Sequence, residues 1–268
     1  MKKIFNLLVI LAVSALSYAP KVKADNEANI YRFGITSGWV NYLEPGYISF
    51  YGVMFGAEAL AQLNYPSGLD LRFETGLHYG NIQYDGSVKD TTTGAVGPLK
   101  AGAYDYLFVG KAKTEFAISK SEASEYLVNA GVGLRYLDDR VNSTSGYERE
   151  ITYVFLPFGG RVEYKISEGS VFGVDLEYDF FVLGKVKSHL SNTNPSNPDV
   201  TNTQANGSGY RVQLEYRFMW GSRSMAFKPY YQWWEVGASD SAPFTTGYIL
   251  VEPRNSTSFG GLTVDIAL

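Results

Sequence analysis

The segment Leu69-Asp-Leu-Arg-Phe-Glu-Thr-Gly-Leu-His-Tyr79 decides the fold, because its charged residues occur only at every second position. Successive side chains of a β-strand point to opposite faces, so a strand here has one uncharged face and one charged face. The uncharged face carries Leu69, Leu71, Phe73, Thr75, Leu77 and Tyr79. The opposite face carries Asp70, Arg72, Glu74, Gly76, His78 and Gly80.

The same two-faced pattern recurs along the chain and predicts ten strands. They cover 29–39, 50–65, 69–84, 104–118, 125–138, 150–166, 171–186, 209–219, 225–236 and 257–268. In the strand 125–138, Tyr126 and Tyr136 bracket an apolar face that includes Val132. About ten residues of a tilted strand cross roughly 23 Å, close to the height of the apolar band of a membrane barrel.

The connections between these strands alternate between short and long. The short ones are 65–68, 119–124, 167–170 and 220–224, and the long polar ones are 40–49, 85–103, 139–149, 187–208 and 237–256. This alternation predicts an all-β fold, a closed up-and-down antiparallel transmembrane β-barrel with short periplasmic turns and long external loops. A soluble lipocalin-like barrel has the same period with an apolar interior. The lack of charge on the apolar faces and the glycines on the polar faces (Gly76, Gly131, Gly133 and Gly173) favour the membrane barrel.

The N-terminus is typical of an exported protein. Lys2 and Lys3 precede a short apolar run, and Val22 and Ala24 form the best processing site, which predicts a cleaved signal peptide over 1–24. Residues 25–268 are predicted to form one outer-membrane β-barrel domain in a Gram-negative bacterium. The chain contains no cysteine, which excludes disulfides and cysteine-ligated metals.

The charge balance argues against a nucleic-acid partner. Without residues 1–24 the chain keeps 19 of its 23 Lys and Arg residues and all 27 acidic residues, which gives a formal charge of −8. Asp138 and Asp139 are acidic, but they lack the spacing of a calcium-binding loop. The sequence therefore predicts no cofactor and no metal site.

The charged faces predict a charge network in the lumen. It comprises Asp70, Arg72, Glu74, Lys111, Lys113, Glu115, Arg161, Glu163, Lys165, Asp175, Glu177, Asp179, Arg211, Glu215 and Arg217. The short turn at 167–170 predicts that Arg161 faces Asp175 or Glu177. Because a ten-strand barrel is only slightly wider than one that side chains fill, we expect a largely plugged lumen. The alternative is a charged constriction or proton path in a narrow channel.

Two catalytic arrangements known from outer-membrane enzymes can be compared with the residues of the external end. Omptin proteases use an Asp–His pair, but this chain has two histidines and no Asp-x-His sequence; we expect His78 to be an interior residue. His189-Leu-Ser-Asn192 is similar to the His-x-Ser-Asn of lipid A deacylases, which use a histidine-activated serine, although those barrels have eight strands. The sequence therefore predicts no enzyme, with a hydrolase as the less favoured alternative.

The end of the chain is the most specific part of a wider resemblance. Pro229-Tyr-Tyr-Gln-Trp-Trp234, Ser239-Asp-Ser241 and Glu252-Pro-Arg-Asn-Ser-Thr257 resemble a poorly characterised group of bacterial outer-membrane β-barrel proteins of the porin-like class. The resemblance implies a membrane location and ten strands. It implies no catalytic residues. We expect outer-membrane lipid, lipopolysaccharide and the barrel-assembly machinery as partners. Such barrels usually end in Phe, whereas this chain ends in Leu268.

These features together predict a structural or surface-interaction role for the protein. An external ligand is expected to bind through the connections 85–103, 187–208 and 237–256, where polar and glycine residues are concentrated. A narrow porin-like channel for small solutes is the principal alternative.

Overall fold

The computed structural model describes residues 29–65, 68–89, 96–245 and 248–268. The predicted signal peptide over 1–24 and the loop segment Thr91-Thr-Thr-Gly94 lie outside the described residues. Within the described ranges, no helix is long and apolar enough to cross a membrane.

The described chain is almost entirely β-structure. The strands are β1 (Ile30–Glu44), β2 (Ile48–Leu63), β3 (Leu69–Lys89), β4 (Val96–Lys120), β5 (Ser124–Val141), β6 (Glu148–Ser167), β7 (Ser170–His189), β8 (Val200–Gln204), β9 (Gly207–Trp220), β10 (Arg223–Val236), β11 (Ser241–Thr245), β12 (Tyr248–Val251) and β13 (Asn255–Ala267). One 3₁₀ turn follows β7 at Leu190–Asn192.

Ten of these strands close into an antiparallel barrel, as predicted. Each pairs with the next in the order β1 to β7, β9, β10 and β13, and β13 pairs back with β1 from Arg32↔Ala267 to Leu43↔Ser256. The short strand β8 continues the barrel wall, because β7 pairs with β9 along Ser170–Phe180 and with β8 along Gly184–Ser188. Closure pairs the backbone of each of the ten strands on both sides.

The long connections contain more β-structure than predicted. β3 and β4 pair as far as Lys89↔Val96, so most of the predicted loop 85–103 is strand. The turns between β1 and β2 and between β5 and β6 shrink to 45–47 and 142–147. The segment 187–208 contains β8, and 237–256 contains the separate hairpin of β11 and β12. Each predicted strand ends where the apolar alternation ends. Backbone pairing does not require apolar side chains, so the strands continue beyond that point at the external end.

The outer surface of the barrel is apolar over a broad belt. Val132 is 58 % exposed and Ile35 is 68 % exposed, whereas Asn129, on the opposite face of β5, is buried. Aromatic pairs lie toward the two edges of this belt: Tyr126–Tyr164, Phe218–Phe227, Tyr79–Tyr106 and Tyr210–Trp233. An exposed apolar surface of this extent requires a non-aqueous surrounding. The predicted assignment of outer and inner faces is therefore confirmed.

The belt predicts a position-dependent cost for a charge on the outer face. Val132→Arg places a cation near the middle of the belt and should destabilise the inserted barrel by about 2–4 kcal/mol. Ile118→Arg, at an exposed position near the end of β4, should cost about 0–1 kcal/mol because the side chain reaches the interface. Urea titration of refolding into lipid vesicles measures both values. Equal costs at the two positions would contradict the placement of the belt.

Candidate functional site inside the barrel and at its external rim

The inward-facing side chains form three layers along the barrel axis. The charged layer occupies the half with the short turns, the aromatic layer lies above it, and an external cap closes the end with the long connections. The charged layer contains Arg72, Glu74, Lys111, Lys113, Glu115, Arg161, Glu163, Asp175, Glu177, Asp179, Arg211, Glu215 and Arg217. All thirteen were predicted to face the lumen.

Glu177 lies at the centre of the charged layer. One of its carboxylate oxygens contacts Lys111 Nζ, and the other lies 2.9 Å from Lys113 Nζ. Lys113 Nζ is also 3.0 Å from Glu74, which accepts a hydrogen bond of 2.5 Å from Arg72 Nε. Because β4 and β7 are not neighbours in the barrel wall, the pairs between them cross the interior. These ion pairs therefore connect strands that are three positions apart around the barrel wall.

A second group of ion pairs lies nearer the short turns. Arg161 contacts Glu115 at 2.7 Å and Glu163 at 3.2 Å. Arg217 contacts the same Glu163 at 2.7 Å and Glu215 at 2.8 Å. Alternating cations and anions thus link β4, β6 and β9, which limits the repulsion between like charges in a narrow space.

The predicted register of the sixth and seventh strands is confirmed, because Arg161 pairs with Asp175 across β6 and β7. The guanidinium of Arg161 makes its ion pairs with glutamates of β4 and β6 instead. Asp179 is fully buried, and neither of its carboxylate oxygens has a hydrogen-bond partner among the described residues. Register alone therefore does not determine the contacts inside the barrel.

Two predicted lumen residues lie at the edge of the network. Asp70, at the start of β3, accepts hydrogen bonds from the side chain of Gln62 and the backbone N–H of Tyr65. Lys165 is exposed near the end of β6. Both residues line the opening with the short turns rather than the filled interior.

Sequence reasoning missed one inward-facing cluster. Asp265 of β13 lies 2.6 Å from Arg32 of β1 and 2.6 Å from Lys228 of β10, and Lys228 lies 3.8 Å from Glu58 of β2. All four residues are in strands that the sequence predicts. Arg32, Glu58 and Lys228 lie in the first, second and ninth predicted strands, where the alternation is weakest, and Asp265 lies in the tenth. Assigning every second residue of these strands to the inner face would have identified all four.

The aromatic layer was not predicted. Its centre is Trp234, whose ring centroid lies 5.0 Å from Phe155 and 6.0 Å from Tyr153. Tyr153 also packs at 5.2 Å against Phe181, and all four rings are at most 4 % exposed. Further buried members are Val40, Tyr42, Phe50, Met54, Ile82, Tyr84, Leu107, Leu137, Ile151 and Phe259. An apolar core therefore fills the barrel interior above the charges.

Glycines on the inner face make room for these rings. A Cβ atom added to Gly133 would lie 2.3 Å from the ring of Phe155, and one added to Gly209 would lie 2.7 Å from Trp234. The predicted role of inner glycines in a crowded lumen therefore holds at Gly133. It does not hold at Gly173, where an added Cβ would lie at an ordinary distance of 3.5 Å from Glu215.

His78 lies between the charged and aromatic layers. It is buried, and its ring packs edge-on against Phe259 at 5.0 Å between centroids. Its Nδ1 has no hydrogen-bond partner in the described part of the chain. His78 also lines a cavity of about 70 Å³, with Glu58 and Tyr230. A cavity of that size holds a few water molecules at most.

The external cap is organised around Arg149. Its guanidinium lies 2.6 Å from Glu44, 3.0 Å from Asp139 and 2.8 Å from Glu252, and it lies over the ring of Tyr42 at 5.4 Å. Burial raises the pKa of Glu252 to about 7; Arg149 opposes this rise, whereas Glu44 and Asp139 add to it. Three carboxylates from separate segments thus share one buried cation at the mouth of the barrel.

His189 and Ser191 do not form a serine–histidine pair. Both ring nitrogens of His189 face carboxylates: Nε2 lies 2.6 Å from Glu150, and Nδ1 lies 3.0 Å from Asp199. Ser191 Oγ donates its hydrogen bond to the same Asp199 at 2.7 Å. The pKa of Asp199 lies below its ordinary value, mainly because of this hydrogen bond from Ser191. The serine is therefore bound to an acceptor that remains ionised at neutral pH.

Comparison with known proteins bears on the fold. No protein-family model and no curated protein sequence matches the chain. The outer membrane protease OmpT from Escherichia coli is similar in structure, with a TM-score of 0.58 and 10 % identity over 91 % of this chain and 99 % of that chain. The chain has the fold of an outer-membrane β-barrel protein.

Two further solved structures show a weaker likeness to the chain. OprG from Pseudomonas aeruginosa has a TM-score of 0.42 and 10 % identity, over 88 % of this chain and 94 % of that one. Neisserial surface protein A (NspA) has a TM-score of 0.33 and 11 % identity, over 90 % and 99 %. Likenesses at these TM-scores and identities transfer neither a family nor an activity to this chain.

The charged layer predicts a large cost for removing its central carboxylate. Glu177→Ala leaves Lys111 and Lys113 buried beside each other and should destabilise the barrel by about 3–5 kcal/mol. Asp85→Ala is the control, because it breaks a pair with Lys100 in which both side chains are substantially exposed, and it should cost less than about 1 kcal/mol. Urea unfolding in detergent compares the two. A small effect of Glu177→Ala would show that the lysines find other partners.

The aromatic layer predicts a difference between two inner glycines. Gly133→Ala forces a methyl group into the ring of Phe155 and should cost about 1–3 kcal/mol through overpacking. Gly173→Ala, on the inner face of β7, should be nearly neutral. Thermal unfolding followed by near-ultraviolet circular dichroism also reports on the packing of Tyr153 and Trp234. Equal stabilities would mean that the rings move aside without loss.

Proposed function

We propose that the protein is an integral outer-membrane barrel with a structural or surface-interaction role and a plugged, non-conducting lumen. In this proposal the apolar belt contacts outer-membrane lipid and lipopolysaccharide. The signal peptide directs export, and the barrel-assembly machinery inserts the chain. The interior serves stability, and interactions with the surroundings take place at the external end.

The observation that carries this proposal is the continuous filling of the interior. Ion pairs such as Lys111–Glu177 cross the charged layer, and Trp234 with its neighbouring rings occupies the layer above. Arg149 and its three carboxylates close the mouth. The cavity beside His78 has a volume of about 70 Å³. The neutralised charges and packed rings around it support a plug rather than a solute path.

We also propose that the protein is not an enzyme. The support is the arrangement at the external rim, where His189 is held by two carboxylates and Ser191 is hydrogen-bonded to Asp199. A histidine that activates a serine nucleophile has to accept the proton of the serine hydroxyl. The likeness to a protease is one of fold at 10 % identity.

The external connections are the proposed contact surface for a ligand. β3 and β4 carry the wall far beyond the apolar belt: the 25 residues of β4, tilted as in membrane barrels, span roughly 55 Å. The hairpin of β11 and β12 exposes Tyr248 and Ile249, which are 64 % and 67 % exposed. This hairpin lies in 237–256, and the described parts of 85–103 and 187–208 extend the wall at the same end.

Single-channel recording tests the plugged lumen. The mature chain, refolded in detergent and added to a planar bilayer, should insert without producing stable conductance steps. A general porin refolded in the same detergent is the positive control for insertion and recording. Insertion of the silent protein is verified separately by flotation of the vesicles used for fusion.

Stable, ion-selective steps from the refolded chain would contradict the proposal and favour the narrow channel. In that case Asp175→Asn and Glu177→Gln would be expected to alter ion selectivity, because these carboxylates lie in the charged layer. A silent but folded barrel directs the search for a ligand to the external connections.

A further inference from the structure

Glu148, Glu150 and His189 form a cluster at the external rim that the proposed function does not use. They lie where β6 begins and β7 ends, and Glu148 is paired in register with His189. One potential ligand atom from each residue lies within 4.8 Å of the others. The cluster is outside the barrel interior and separate from the carboxylates around Arg149.

Glu148 contributes to the cluster a buried carboxylate oxygen that has no hydrogen-bond partner among the described residues. Glu148 is 4 % exposed, and one of its carboxylate oxygens is paired with Arg140. The other oxygen, Oε1, is buried and has no hydrogen-bond partner in the described ranges. A buried, unpaired carboxylate oxygen costs free energy unless a donor or a cation reaches it.

The imidazole of His189 is oriented as metal-binding histidines are. Its Nδ1 lies 3.0 Å from Asp199 Oδ2, while Asp199 Oδ1 accepts the hydroxyl of Ser191. A carboxylate on one ring nitrogen fixes the tautomer and leaves the other nitrogen available to a metal. That other nitrogen, Nε2, points at Glu150 Oε1 at 2.6 Å. The second oxygen of Glu150 is held in turn by the Tyr136 hydroxyl at 3.2 Å.

The local charge balance favours a cation. Three carboxylates, those of Glu148, Glu150 and Asp199, surround the imidazole. The basic groups that pair with them are Arg140, on Glu148, and Lys187, whose Nζ is 3.9 Å from Asp199. Counted without the imidazole itself, the acidic groups exceed these two cations by one.

We propose that Glu148, Glu150 and His189 bind a divalent transition-metal ion, with Zn²⁺ the best match. One imidazole nitrogen with two carboxylate oxygens suits Zn²⁺, whereas Ca²⁺ and Mg²⁺ prefer oxygen ligands alone. Tetrahedral zinc requires about 3.3 Å between neighbouring ligand atoms, so His189 Nε2 and Glu150 Oε1 separate slightly to admit the ion. The bound ion ties the ends of β6 and β7 to the segment that carries Asp199, which stabilises the external rim.

Calorimetric titration of the untagged, refolded mature chain with Zn²⁺ tests this site. The expected result is one ion per chain. His189→Gln and Glu148→Gln should each weaken binding at least tenfold, because each removes a direct ligand. Asp199→Asn should also weaken it, by about 10–100-fold, through the orientation of the imidazole. Asp85→Asn is the matched control: it removes an exposed acidic charge outside the cluster and should leave the affinity unchanged.

The absorption spectrum of the Co²⁺ complex provides a second measurement on the unaltered protein, which does not depend on the folding of any variant. Intense visible bands of four-coordinate Co²⁺, displaced by Zn²⁺, are expected. The absence of Zn²⁺ binding, or Zn²⁺ binding that His189→Gln leaves unchanged, would overturn the proposal. Equal affinity for Ca²⁺ and Zn²⁺ that does not change in His189→Gln would also overturn the proposal. That result would mean that carboxylates bind the ion without the imidazole.

Discussion

Closure of the barrel by pairing of β1 with β13 is the constraint on which the rest of the structure depends. Once ten strands form a closed wall, each side chain faces either the outside or a narrow interior, and the twofold alternation of the strands assigns it. In the apolar surroundings indicated by the belt, exposed strand edges would leave backbone groups without partners. Closure therefore satisfies the backbone and divides the side chains into two environments.

The narrow interior explains the composition of the inner face. Charged groups in a space of low polarity are stable when they are paired, and here Lys113 bridges Glu74 and Glu177 across the barrel. Large rings fit where the facing residue is glycine, as Gly133 is for Phe155. Pairing and packing thus have the same effect, since each fills volume that would otherwise contain water.

The external end differs from the membrane-facing part of the barrel in the polarity of its outer face. Beyond the apolar belt the strands continue as paired β-structure with polar outer faces, and the wall is extended by β8. Buried charged groups contact one another here: three carboxylates pair with Arg149, and two carboxylates contact the ring of His189. Most of these groups are buried, but they lie at the external end on a rigid wall, where an interaction with the surroundings could reach them.

The sequence by itself determined the number of barrel strands, the antiparallel closure and the face of most side chains, because period-two alternation is a local property of each strand. It also assigned the charges of the charged layer and the register of Arg161 opposite Asp175, which a short turn sets. The tertiary structure alone decided which groups meet across the interior, such as Lys111 and Glu177, and that the rings around Trp234 form an inner core. These contacts join strands that are not neighbours, so they depend on the tilt and stagger of the closed wall, which no local pattern records.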